Sequence, residues 1–207
     1  MLRTQDIGEV NEKLLGKKVT LVGWADTIRE HGKLIFIDLR DRHGKIQCVI
    51  SHTLKGTSKN SDFEEAKKLT LESCLQIEGK VKERPKGTEN KELSTGKVEI
   101  EIEKLNILTL AEPLPFDIHD PTVNEDLRLK YRYLDLRSER MQKNLQMRHE
   151  VIKFMRDFLD KKKFVEITTP ILTKSSPEGA RDFIVPSRTH PGKFMLCLNR
   201  RSSINNY

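Results

Sequence analysis

The chain has 207 residues, 33% charged and 36% hydrophobic, with a single Trp and a formal net charge of +7 at pH 7. That length accommodates two small domains, because a barrel of about 100 residues buries a core of its own. No apolar run approaches the roughly 18 residues that a membrane span needs. A pI near 9.3 favours a polyanionic partner through phosphate contacts and counterion release, without identifying one.

The three cysteines, Cys48, Cys74 and Cys197, are scattered and form no CxxC pair, so neither a zinc knuckle, another metal site nor a disulfide framework is expected. The amino-terminal segment MLRTQDIGEVNEKLLGKK lacks the apolar centre of a signal peptide and the acid-poor character of a transit peptide. The expectation is a soluble cytoplasmic protein with no membrane association.

From Lys17 to Arg29, KKVTLVGWADTIR alternates apolar and polar positions with Val19, Leu21 and Gly23 on one face, which predicts a first strand. REHGK at residues 29–33 supplies a glycine-containing turn, and LIFIDLRD follows from Leu34 with apolar residues on both faces. The turn Arg42-His43-Gly44-Lys45 leads into IQCVIS, so strands two and three form a hairpin. In SDFEEAKKL, Ser61 and Asp62 are candidate caps of a short helix with acids early and lysines late. LESCLQIEGKVKER and GKVEIEIEKLNIL give strands four and five, joined by a loop from Pro85 to Gly96. Five strands with a helix after the third is the order of an OB-fold, whose face commonly binds single-stranded nucleic acid. A small barrel that binds nothing is the alternative.

Beyond the Pro- and Asp-rich AEPLPFDIHDPTV, the charged segment NEDLRLKYRYLDLRSERMQ is helix-prone and bridges two domains. From Gln142 to Lys161, Val151, Met155 and Phe158 recur at helical spacing beside Ile152 and Leu159, which predicts a helix with one buried face.

Three stretches, GWADTIREHGKLIFIDLRDRHGKIQCVI, LRLKYRYLDLR and TPILTKSSPEGARDFIVPSRTHPGKF, resemble the bacterial-type aspartyl-tRNA synthetases. The resemblance runs from Arg3 to Phe194. It implies an α+β organisation: an OB-fold anticodon-binding domain over residues 1–108, a hinge over 109–140 and the start of an antiparallel class II catalytic domain over 141–194. The related lysyl and asparaginyl enzymes share the barrel but carry other residues at SSPEGARDFIVPSR. A stand-alone OB-fold module that binds tRNA without chemistry remains the other class of function.

The resemblance assigns roles by motif. Phe36 would stack on an anticodon base, with Arg29 and Gln47 hydrogen-bonding neighbouring bases and Glu99 facing the same site. From the residues alone, Phe36 fits a core position better than a binding one, and Glu99 fits a solvated strand nearly as well as the site. His31 and Gly87 match the pair in nondiscriminating members, which charge both tRNA(Asp) and tRNA(Asn); turn chemistry is the plain alternative. FVEITTPIL resembles the motif 1 helix and strand ending at Pro170, which builds a homodimer interface in the family, although a helix and strand of a monomeric core has the same pattern. Where the family has Gly in the turn after that helix, this chain has Lys163. In SSPEGARDF, Glu178 would meet the α-ammonium of aspartate, with Ser175, Ser176 and Arg181 as weaker candidates.

The family reaction uses ATP and Mg2+ to form aspartyl-adenylate and then transfers the aspartyl group to tRNA. Its motif 2 and 3 arginines are expected beyond residue 207, which leaves no complete set of catalytic residues here. After PGKF the family continues YALPQSPQL, whereas this chain reads MLCLNRRSSINNY over residues 195–207. Codons exist for that tail which, with one T restored in front, read YALPQSPQLNKQL. The tail is therefore expected to be out of frame after Phe194.

Overall fold

Strand alternation decides the first half of the chain. β1 (Lys18–His31), β2 (Leu34–Arg40), β3 (Lys45–Ser51), β4 (Cys74–Glu83) and β5 (Val98–Thr109) each turn one apolar face inward, as period-two patterning requires. The computed structural model describes residues 2–52, 60–168, 170–173 and 183–197, and the chain divides into two units, Met1–Asp135 and Leu136–Tyr207.

The five strands close into a barrel in the order β1-β2-β3-β5-β4, the OB-fold arrangement. β1 is shared: Lys18 to Trp24 pair with β4, and Trp24 to His31 pair with β2. The hand-over needs a close crossing, and Gly23 permits it, because a Cβ there would lie 2.4 Å from the Arg40 carbonyl oxygen. The β2–β3 turn is held by Asp41, whose carboxylate accepts from the His43 and Gly44 N–H groups at 2.7 and 2.8 Å and from the Ile7 N–H at 2.8 Å. Leu21, Ile37, Leu39, Ile46, Ile50, Leu75, Ile77 and Ile100 are fully buried, each contributing about 2 kcal/mol by burial.

Helix α1 (Asn60–Ala66) adds Phe63 and Ala66 to this core. It is shorter than its sequence suggests, and its start differs from the expectation. Ser61 and Asp62 lie inside it rather than capping it. Asp62 instead accepts the Leu105 N–H of β5 at 3.1 Å, since a buried strand donor is a more demanding partner than a solvated helix end.

A charged cluster lies under one end of the barrel sheet. The Asp26 side chain is fully buried and bonds Arg40 Nε at 2.6 Å and Lys45 Nζ, with His119 Nε2 at 3.4 Å. Arg40 also holds Glu72, whose backbone takes a left-handed φ of 66° while its N–H donates to the Ala25 carbonyl at 2.7 Å. Burial works against the Asp26 charge, but the hydrogen bonds and charges of Lys45 and Arg40 outweigh it and hold this carboxyl below the ordinary range. His119 belongs to the segment that follows β5, so the cluster ties that segment to the barrel. The segment continues through α2 (Glu125–Lys130) and α3 (Arg132–Asp135), where Asp135 is buried against Arg128 and Arg132.

The second unit is a long helix, α4 (Glu139–Lys161), and a small antiparallel sheet of β6 (Leu172–Thr173), β7 (Phe183–Pro186) and β8 (Phe194–Cys197) in the order β6-β8-β7. The periodicity predicts a buried face on α4, and the structure corrects this. Val151, Met155 and Phe158 are 53%, 57% and 52% exposed: the stripe is apolar, but no described residue covers it. The strand expected before Pro170 is also absent among the described residues. Residues 164–168 carry no regular structure, because a strand exists only where a partner completes its hydrogen bonds. Met195 to Cys197, expected to be out of frame, form most of β8; residues 198–207 lie outside the described residues.

α4 ends in a Schellman arrangement: the Phe164 N–H bonds the Leu159 carbonyl at 3.1 Å and the Lys163 N–H bonds that of Asp160 at 2.8 Å. Lys163 supplies the left-handed residue with φ 66°, the condition under which a lysine in place of glycine is strained.

Two measurements follow. Asp26→Asn should destabilise the barrel by about 3 kcal/mol in urea, followed by Trp24 fluorescence, since it leaves Lys45 without its buried counter-charge and Arg40 with Glu72 alone. Because the Asp26 pKa is depressed on folding, its contribution is complete above the ordinary carboxylate range and is lost as pH falls through the folded value; the gap between wild type and variant should narrow accordingly. Lys163→Gly should stabilise the end of α4 by about 1 kcal/mol, read as slower amide exchange at residues 163 and 164.

Candidate nucleic-acid interface

Closing the barrel aligns side chains in rungs across the strands. On the outer face one rung runs Thr27, Asp38, Gln47, Glu99 and Lys82, and the next runs Arg29, Phe36, Val49, Glu101 and Lys80. Since Ile35, Ile37 and Leu39 take the core face of β2, Phe36 and Asp38 must point the other way. Phe36 is thus half-buried on the outer face and not part of the core.

Arg29, Phe36, Gln47 and Glu99 of these rungs, with His31 at the end of β1, form the floor of a cavity of about 520 Å³. The opposite wall is Arg84, Pro85, Thr88 and Asn90, with Leu34 and Val49 completing the lining. Five of the six residues singled out on the barrel therefore meet in one place. The sixth, Gly87, stands in the turn between Pro85 and Thr88, where the Thr88 N–H bonds the Pro85 carbonyl at 3.0 Å. Its φ of +86° is the value that the third position of a type II turn demands, which favours glycine.

Hydrogen bonds connect the floor. Arg29 Nη2 donates to Asp38 at 3.0 and 3.2 Å and reaches Gln47 Oε1 at 3.4 Å, while Gln47 Nε2 donates to Glu99 Oε2 at 2.8 Å. Glu99 is accordingly a bonded member of the site and not a solvated strand carboxylate. Burial pushes the Asp38 carboxyl above the ordinary range, with Arg29, Lys45 and Arg84 opposing that shift. Arg84 is buried and donates to the Val98 carbonyl from Nε at 3.3 Å and to the Thr88 carbonyl from Nη1 at 3.4 Å, pinning the loop to β5.

The chemistry of the groove is that of a base-reading surface. It offers one accessible aromatic face for stacking, with amide, guanidinium and carboxylate groups around it for base edges. Of the two guanidiniums in the lining, Arg29 bonds the Asp38 carboxylate, and the lining itself contains the Glu99 carboxylate, so positive charge is largely balanced there.

Two families match the chain. The OB-fold nucleic acid binding domain covers residues 19–108, and the class II tRNA synthetases (D, K and N) cover residues 124–203. The aspartate--tRNA(Asp/Asn) ligase of Syntrophomonas wolfei is 52% identical over 195 residues, 94% of this chain and 33% of that protein. That of Thermotoga maritima is 50% identical over 194 residues, 94% of this chain and 32% of that protein. Over nearly its whole length the chain is thus similar to aspartate--tRNA(Asp/Asn) ligases. It spans about a third of the length of the curated relatives it matches. Among solved structures, asparaginyl-tRNA synthetase from Pyrococcus horikoshii complexed with asparaginyl-adenylate superposes with a TM-score of 0.81 at 29% identity, covering 95% of this chain and 43% of that one. Aspartyl tRNA synthetase from Entamoeba histolytica gives 0.74 at 25% identity, covering 82% and 40%.

Within this family frame, the sequence reading missed Asp38 and Arg84. Asp38 was accessible to it, standing two residues from Phe36 on the same strand face. Arg84 was not, because the alternation breaks at the end of β4 where Lys82 and Glu83 are both exposed. Pro170 is exposed in the second unit, and Ser175, Ser176, Glu178 and Arg181 lie outside the described residues.

Proposed function

We propose that the barrel groove reads the anticodon of tRNA(Asp) and that the chain contributes this reading to an aspartate-tRNA ligase. The observation that supports it is the convergence of the Phe36 ring with the Arg29–Gln47–Glu99 hydrogen-bond chain in one cavity. Stacking on an aromatic side chain stabilises an unpaired base by about 1 to 3 kcal/mol whatever its identity, and the polar groups then distinguish one edge from another.

The reaction belongs to a protein of the relatives' length. In it a carboxylate oxygen of aspartate attacks the α-phosphorus of ATP, pyrophosphate leaves, and the terminal ribose hydroxyl of tRNA then attacks the acyl carbon and displaces AMP. Glu178 holds the α-ammonium of aspartate, assisted by Ser175 and Arg181. Magnesium would supply charge neutralisation at the triphosphate; no group of three or more His, Cys, Asp and Glu among the described residues is placed to hold such an ion.

Residues 1–108 form the anticodon domain, 109–140 the hinge and 141–194 the start of the catalytic domain. The exposed stripe of Val151, Met155 and Phe158 on α4, with Pro170, serves as a homodimer surface, since monomers rarely leave so much contiguous apolar area uncovered. The relatives are named for tRNA(Asp/Asn), and the cavity rim carries His31 beside the Gly87 turn. Both tRNAs are therefore substrates, with the loop shape at these two residues setting tolerance of the differing anticodon base.

Anisotropy titration with an RNA hairpin bearing the aspartate anticodon loop tests the groove. Phe36→Ala should weaken binding by about 10- to 100-fold with no change in circular dichroism; equal affinity would remove the groove from RNA recognition. His31→Leu should raise the ratio of tRNA(Asp) to tRNA(Asn) affinity, and an unchanged ratio would refute its part in discrimination.

A further inference from the structure

Gln47 lies at the centre of the groove floor with its amide held at both ends. Glu99 Oε2 accepts from its nitrogen at 2.8 Å, and Arg29 Nη2 lies 3.4 Å from its oxygen. A carboxamide has two N–H donors and two carbonyl lone pairs. These two contacts use one of each, which leaves one donor and one lone pair on a side chain that lines the cavity. Rotating the amide by half a turn would set its N–H groups against a guanidinium and its oxygen against a carboxylate. Both contacts would then be repulsive, so the orientation is decided by the two neighbours.

Of these neighbours, Glu99 is anchored on β5 by the strand register. Arg29 is different: its side chain is 53% exposed and projects from the outer end of β1. Its guanidinium is placed by Asp38, which accepts from Nη2 through both carboxylate oxygens at 3.0 and 3.2 Å. The contact is diagonal between rungs, because Arg29 pairs with Phe36 while Asp38 pairs with Gln47. Asp38 therefore draws Arg29 from its own rung onto that of Gln47.

We propose that Asp38 is a positioning residue for base selection: acting through Arg29, it sets the Gln47 amide to present one donor and one acceptor to a nucleobase edge that carries the complementary pair. The inference rests on reading the groove as the anticodon site. It has a second consequence. An Arg29 neutralised by Asp38 is a poor clamp for phosphate, so the groove selects by base edge instead of by backbone charge.

A residue present only for stability would not look like this. Asp38 is largely buried, its side chain 16% exposed, and burial disfavours its charged form with only the partly exposed Arg29 bonded to it among the described residues. Its charge thus works against folding, and asparagine at this position keeps the shape while removing the charge.

The test uses the whole chain and two RNA hairpins that differ in one anticodon base, each titrated at several salt concentrations. Wild type should separate the two hairpins. Asp38→Asn should reduce that separation about tenfold, steepen the salt dependence by about 0.7 in log–log slope and leave the melting temperature equal to or above that of wild type. Arg29→Gln should abolish the same separation from the other end of the contact, and adding Asp38→Asn to it should cause no further loss. If Asp38→Asn fails to fold, Asp38→Glu, which keeps the charge but displaces it from Arg29, is read in the same way. Wild-type selectivity and salt slope in Asp38→Asn would overturn the positioning role while leaving the anticodon reading intact. A wild-type chain that binds both hairpins equally would overturn the anticodon reading, and the positioning role with it.

Discussion

Closing five strands on themselves leaves each strand one face for the core and one for everything else, and the groove depends on that parity. Ile35, Ile37 and Leu39 fill the barrel interior, which compels Phe36 and Asp38 outward. The same logic on β3 and β5 places Gln47 and Glu99 on the rung beside them. A slip of one residue in any strand would exchange core and groove together. Gly23 protects the register at the crossing of β1 over β2, where any side chain would strike the Arg40 carbonyl.

Two aspartates of the barrel show how partners decide the character of a buried charge. Asp26 has no exposed side-chain surface, yet Arg40 and Lys45 both bond it, and its carboxyl is held below the ordinary range. Asp38 is less deeply placed but, among the described residues, has a single bonded cation that is itself half in solvent, and its carboxyl moves the other way. Burial opposes the charge in both cases; the number and enclosure of the cations determine the outcome. The first cluster fastens the segment carrying His119 to the barrel, and the second places Arg29, which lines the cavity.

The second unit follows a different rule. The barrel satisfies its strands within Met1–Asp135, whereas α4 displays an apolar stripe that no described residue covers. The stacked rings of Phe154 and Phe158, 6.3 Å apart, lie in that exposed region. Helix formation needs no such cover, since its backbone bonds are internal and its end is closed by the Lys163 turn. Strands require a partner, which is why residues 164–168 stay irregular beside a complete helix.

Period-two alternation along Val19 to Ile50 and Leu75 to Leu105 determined the five strands and their inward faces, and helical spacing determined α4. These are local properties, written residue by residue. Family motifs led to Arg29, Phe36, Gln47, Glu99, His31 and Gly87, although alternation on an apolar strand such as LIFIDLR could not say which face Phe36 takes. Only closure of the barrel decided that, because the choice depends on which neighbours supply the core. The diagonal from Arg29 to Asp38 likewise required the register between β1 and β2, and burial of Arg84 required the loop after β4 to fold back across the groove. Whether the apolar stripe of α4 is covered was equally beyond a periodic pattern: periodicity specifies that a face is apolar, while burial depends on what packs against it.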